Sequence, residues 1–344
     1  MRSPLLGGLT PREFLRRHWQ KRPLFVPAAL PPIIGMPGKS ALTALAARTD
    51  VESRLVQRHG NKWETTHGPF RKAFIAKKNA SLLVSGVNLQ LAAADRLLRR
   101  FDFIPQARLD DVMVSYASPG GGVGPHVDSY DVFLIQGCGV RKWTVWPPHG
   151  SKNIFLSKPG DLLYLPPGWK HDGVALEDCT TYSVGFRAPR GAELGAAFLD
   201  FLHERGMPDA AFGDPRLTPA RAPASIPQPM ISFTDRLLQK IRWSRGDTIR
   251  FLGEYLTLPK HHVVYRPRPA RGRWMRLDPK SQLLYSGPLF FLNGDTVAVP
   301  ARLRPAMREF ADRREINATR LAGIATMVGQ WRRSGYVHLE RHDD

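Results

Sequence analysis

At 344 residues the chain is long enough for two or three domains, and a hydrophobic fraction of 42% leaves material for a real core. No apolar run reaches the roughly 18 residues of a membrane span, and no secretory-type stretch stands near the start. Two cysteines, Cys138 and Cys179, are too few for a disulfide scaffold or a cysteine metal cluster, so the chain reads as cytoplasmic with two small buried thiols.

The formal charge of +20 points to a polyanionic partner or to surface solubility, and it is unevenly spread. Residues 101–190 hold nine acidic and eight basic side chains, so the excess lies in the flanks. It is densest where Arg266, Arg268, Arg271, Arg273, Arg276 and Lys280 surround Trp274.

In chain order, Thr10-Pro11-Arg12-Glu13 has the form of a capping box with proline at the first helical position. Phe14, Leu15, His18 and Trp19 give that helix an apolar face, with Pro23 as its stop. Further helix is expected around Ser40–Ala47 and Asn88–Phe101. The character then changes to short β-rich runs, Val112–Ala117, Val132–Gln136, Lys142–Trp146, Asp161–Leu165 and Thr180–Phe186, which predict an antiparallel barrel or sandwich. Residues 191–205 read as helix, 215–229 as a proline-rich linker and 233–243 as another helix. Asn293-Gly294-Asp295 between two apolar runs is a hairpin signal. Leu321, Ile324, Val328 and Trp331 recur at helical spacing before the strand-like Tyr336–Leu339, and together these suggest a winged-helix-like unit.

The chemistry sits in the electrically near-neutral middle. Residues i and i+2 of a strand share a face, so His126 and Asp128 can converge on one point. A second imidazole would complete the facial triad of non-haem iron(II) oxygenases, which leaves positions open for a co-substrate and O2. Pro166-Pro167-Gly168-Trp169-Lys170-His171 supplies it, a rigid turn that aims His171 back toward the barrel 45 positions after His126. The glycine-rich run before His126 lacks the Gly-Lys-Ser/Thr ending of a phosphate loop. Arg141, 13 residues past Asp128, suits the far carboxylate of 2-oxoglutarate by two parallel hydrogen bonds; an ordinary surface arginine is the other reading. Lys142 faces the opposite way.

The stretch from Ser118 to Trp143, with Trp19-Gln20-Lys21-Arg22-Pro23, Leu163 to Gly168 and Tyr182 to Pro189, resembles the bacterial JmjC-type ribosomal oxygenases. The likeness runs along most of the first 200 residues. It implies a 2-oxoglutarate enzyme that hydroxylates an arginine of a large-subunit ribosomal protein. Iron(II) would sit at His126, Asp128 and His171, and the co-substrate's distal carboxylate at Arg141, with Ser115 touching co-substrate or substrate. The implied fold is α+β: a double-stranded β-helix (cupin/JmjC) barrel over 1–205, a linker and helical dimerisation segment over 206–265, and a winged-helix-like domain over 266–344. This chain departs from the pattern in its short connection between Trp146 and Gly160, at a barrel mouth where loops shape substrate access.

A basic protein recognising a basic substrate needs acidic groups near the iron, and Asp131, Asp172, Glu177 and Asp178 are candidates. Tyr130 and Asp131 are the pair expected to seat a cationic side chain, with plain strand structure as the other reading. Histidine hydroxylation of another ribosomal protein stays open, as does a non-catalytic cupin that binds ribosome or RNA. The basic C-terminal part further suggests a weak contact with ribosomal RNA or other nucleic acid.

Overall fold

The computed structural model describes residues 2–70 and 78–341. Its first helix, α1 (Pro11–Arg17), opens with the expected capping box: the Thr10 hydroxyl accepts the Glu13 N–H at 3.2 Å, and the Glu13 carboxylate accepts the Thr10 N–H at 2.8 Å. The helix ends well before Pro23. Phe14 fixes it to the barrel, 5.4 Å from the Phe133 ring and 5.0 Å from that of Tyr164.

Twelve strands follow: β1 (Leu24–Val26), β2 (Ser53–His59), β3 (Lys62–His67), β4 (Ala80–Val84), β5 (Leu109–Ala117), β6 (His126–Val127), β7 (Val132–Cys138), β8 (Arg141–Trp146), β9 (Asn153–Ser157), β10 (Leu162–Leu165), β11 (Lys170–Ala175) and β12 (Cys179–Phe186). They form two antiparallel sheets, β1-β10-β7-β12-β5-β4-β2-β3 and β6-β11-β8-β9. Period-two alternation sorts the larger sheet into two faces. Val112, Val114, Tyr116, Phe133, Ile135, Tyr182, Val184 and Phe186 pack outward with α1, α2 (Lys39–Ala46) and α3 (Ala92–Arg99) in one core. Met113, Ser115, Leu134, Thr181 and Ser183 face inward and line a cavity between the sheets. The helix expected over Asn88–Phe101 is a short 3₁₀ turn, Val87–Leu89, followed by α3.

Past the barrel come α4 (Gly191–Glu204), α5 (Gln228–Leu238) and α6 (Arg245–Thr257). The α5 helix starts five residues earlier than expected, because Pro229 sits in its first turn, where proline is compatible, instead of ending a linker. The unforeseen α6 has a capping box of Ser244 and Asp247. The C-terminal part holds β13 (Trp274–Leu277), β14 (Leu283–Ser286), β15 (Leu289–Leu292), β16 (Asp295–Val297), α7 (Arg304–Arg313), β17 (Glu315–Asn317), α8 (Ala325–Arg333) and β18 (Val337–Glu340) around Met275, Phe290, Met307 and Phe310. Asn293 and Gly294 form the expected hairpin turn, both left-handed at φ 52° and 95°. The single helix expected from Leu321 begins instead as a 3₁₀ segment, Ala318–Ile324, with non-helical backbone at Leu321.

Candidate metal centre and cavity

His126 and His171 stand directly opposite each other in the β6–β11 ladder, so their side chains share a face. Asp128 follows two residues after His126, and its carbonyl accepts the Gly168 N–H at 2.9 Å, which ties the two approach turns together. The glycines before His126 allow close packing. Gly124 is left-handed at φ +82°, and a Cβ there would come within 2.7 Å of the Trp63 indole nitrogen.

The three side chains converge. The Nε2 atoms of His126 and His171 lie 3.8 and 3.6 Å from the Asp128 carboxylate oxygens, and the candidate ligand atoms all fall within 4.8 Å of one another. Each imidazole is turned by its other nitrogen: Nδ1 of His126 donates to the Gly124 carbonyl and Nδ1 of His171 to that of Trp169, both at 2.9 Å. A carbonyl only accepts, so Nδ1 carries a proton, and Nε2 is the atom turned toward Asp128 and available to a metal. Burial holds His171 below the ordinary imidazole pKa, opposed by the Trp169 carbonyl, which keeps the ring neutral and free to ligate. Two imidazoles and a carboxylate on one side are a donor set suited to iron(II).

Arg141 lines the same cavity and is 5% exposed. Its nearest polar contact is Cys179 Sγ, 3.6 Å from Nη2, and its Nε has no hydrogen-bond partner. No carboxylate among the described residues pairs with it, and a buried unpaired guanidinium is costly, so the geometry fits a carboxylate-bearing ligand. Ser115, 5% exposed, lines the cavity and donates to the Thr181 carbonyl at 3.5 Å. The cavity encloses about 590 Å³ and reaches Tyr130. Burial, with Asp128 nearby, pushes the Tyr130 phenol up to about 12.

Asp131 corrects the expectation for the substrate pair. It is fully buried and on the outer phase of the chain, with Phe133, whereas Tyr130 and Val132 face the cavity. There its carboxylate accepts from the Tyr164 hydroxyl at 2.6 Å and the Gln20 amide at 3.0 Å, with Arg108 at 3.6 Å. Neighbouring strand residues cannot share a face, so only Tyr130 is placed to meet a ligand. Asp172, Glu177 and Asp178 are not on the cavity lining either. Its acidic wall is Glu52, Asp110 and Asp111. Burial, reinforced by Asp110, pushes the Asp111 carboxyl up to about 6. The sequence reading missed this wall, although Asp110-Asp111 at the start of a predicted strand was a visible signal. Cys179 is buried as expected, while Cys138 is exposed.

Comparison with known proteins adds three findings. A family model described as the JmjC domain matches residues 96–194. The ribosomal protein uL16 3-hydroxylase of Escherichia coli is 38% identical over 274 residues, spanning 74% of this chain and 73% of that protein; a probable ribosomal oxygenase of Haemophilus influenzae is 38% identical over 208 residues, 54% of this chain and 52% of its own. The structure of the E. coli ribosomal oxygenase YcfD in complex with cobalt and 2-oxoglutarate superposes with a TM-score of 0.80 at 33% identity, covering 96% of this chain and 98% of that one.

Proposed function

This chain belongs to the JmjC-domain ribosomal oxygenases, and on that premise we propose that it hydroxylates an arginine side chain of a large-subunit ribosomal protein, using iron(II), 2-oxoglutarate and O2. The observation that carries the reading is the convergence of three candidate ligands beside a buried, acid-free guanidinium. His126 Nε2, Asp128 and His171 Nε2 would hold the iron, and Arg141 the distal carboxylate of 2-oxoglutarate, with Ser115 alongside. Bound iron supplies the oxidation, coupling decarboxylation of 2-oxoglutarate to succinate with insertion of one oxygen atom into a C–H bond.

The chain's own residues do the rest. The Gly124 and Trp169 carbonyls hold both imidazoles in one tautomer, and Arg141 sets the direction from which the co-substrate enters. Leu134, Val132 and Trp143 give the inner wall an apolar patch beside the polar lining. Glu52 and Asp111 offer negative charge to a cationic side chain, and this is what favours arginine as the target. The test is succinate release with iron present, together with mass analysis of an arginine-bearing ribosomal peptide. Release that is independent of peptide, with no added oxygen, would refute the arginine reading.

Other parts of the reading concern the whole chain. A barrel unit over 1–205, a helical segment over 206–265 and a winged-helix-like unit over 266–344 are supported by the separate hydrophobic cores of barrel and C-terminal part. A homodimer through the helical segment is supported by exposed Leu238 and Trp243. A weak contact with ribosomal RNA is supported by exposed Arg266, Arg268, Arg271 and Arg273. Sedimentation equilibrium tests the dimer, and RNA binding that ignored salt would exclude phosphate contacts. A cytoplasmic location is consistent with this; no helix among the described residues is long and apolar enough to cross a membrane.

A further inference from the structure

The cavity that would receive a cationic side chain already contains one. Lys260 lines it together with Glu52, Asp110 and Asp111, and its ammonium lies 3.2 Å from Asp110 Oδ1. Arg187 approaches the same oxygen at 3.7 Å. Asp111 next door has a different environment: its Oδ2 accepts the Gly86 N–H at 2.7 Å, and no cationic side chain of the described residues bonds to it.

Lys260 is not a stray surface group. It comes from 150 residues beyond Asp110 in the chain, three past the end of α6, and Pro259 stiffens its approach. The end of α6 that leads into it is anchored twice. The Thr257 hydroxyl accepts the Gly294 N–H at 2.9 Å from the β15–β16 turn, and Arg187 of the barrel donates to the Leu256 carbonyl at 2.7 Å. Asp111 and Asp110 raise the Lys260 pKa against the opposing effect of burial, so the ammonium stays charged across the physiological range.

We infer that Lys260 is a specificity-determining residue of the substrate cavity, a built-in cation that offsets part of the negative charge of Asp110 and Asp111 and so sets how much of it an incoming guanidinium can use. This rests on the arginine reading above. With Lys260 present the acidic wall holds one net negative charge fewer, which limits non-productive capture of lysine- and arginine-rich segments by a cavity open to many of them. Without it the wall attracts cations more strongly and discriminates less by position.

The test is equilibrium binding by calorimetry of two short peptides, one with a single central arginine and one with citrulline in its place. The ratio of their affinities isolates the side-chain charge. Restoring one charge to a partly exposed wall raises that ratio about five- to tenfold in Lys260→Met, by Coulomb's law at an effective dielectric between protein surface and water. Lys260→Gln gives the same rise should the methionine variant fold poorly, Lys260→Arg keeps the starting ratio, and high salt shrinks the increase. A ratio unchanged or lowered in both neutral variants overturns the inference. Hydroxylation of the arginine peptide is followed separately by mass: if the unaltered protein leaves it unmodified while the ratio still rises, Lys260 keeps its role and the arginine reading falls.

Discussion

Arg141 and Asp111 show how burial assigns roles to single side chains. Arg141 is buried and, among the described residues, is paired with no acid, so a carboxylate ligand is what would use its charge. Arg141→Met should raise the 2-oxoglutarate KM about 100-fold, the equivalent of losing a bidentate charged pair, with little change in melting temperature; succinate release against 2-oxoglutarate concentration measures it. Asp111 titrates at about 6 in the fold, against about 3.9 for an unfolded aspartate. Between those values the folded chain keeps a proton that the unfolded chain releases, so its contribution to stability falls as pH rises through the window and stays low above it. Asp111→Asn should therefore gain stability at pH 7 relative to its effect at pH 4, by on the order of 1–3 kcal/mol in urea unfolding. Equal effects at both pH values would mean the carboxyl is not strained. The triad was legible in the sequence because His-x-Asp and Pro-x-Gly-x-x-His carry their geometry in their spacing. The alternation that turns Asp131 outward was equally legible, since Asp128, Tyr130 and Val132 share one parity and Asp131 the other.

At the scale of elements, the strands read correctly were those rich in β-branched and aromatic residues, such as β7, β8 and β12. Two of those missed had no such pattern. The β3 strand, Lys-Trp-Glu-Thr-Thr-His, is a mostly exposed edge, and β6 has two residues held in place by the ladder to β11. The other ladder of β11, to β8, has one tightly packed glycine. Gly173 faces Trp143 across the β8–β11 ladder, and a Cβ there would stand 2.4 Å from the indole, whose ring centroid is 6.0 Å from that of His171. Gly173→Ala should cost about 1–3 kcal/mol by overpacking. By shifting the ring beneath His171 it should also weaken cobalt affinity about tenfold, followed by absorption on titration. Wild-type cobalt binding in that variant would show that the indole yields without moving the imidazole. The Ser244 box that opens α6 was present in the sequence and unread, because no long apolar run follows it.

At the scale of the molecule, the sequence carries no local trace of how the parts dock, since docking joins residues of separate elements well apart in the chain. Gly253 in α6 packs flat against Phe291 of β15, where a Cβ would come within 2.3 Å of the ring, and the Gln106 amide donates to the Asp312 carbonyl at 3.2 Å. Gly253→Val should force α6 off β15 and split a single calorimetric unfolding peak into two, one for each hydrophobic core; a single peak merely shifted would show that other contacts suffice. The anchored turn after α6 has a further consequence. Because it completes the rim around Asp110, the cavity is not self-contained, and a shortened protein ending near residue 205 would keep all three candidate ligands yet present a more anionic, open-sided mouth. Changes in the downstream half can thus retune what the barrel accepts while its chemistry stays untouched.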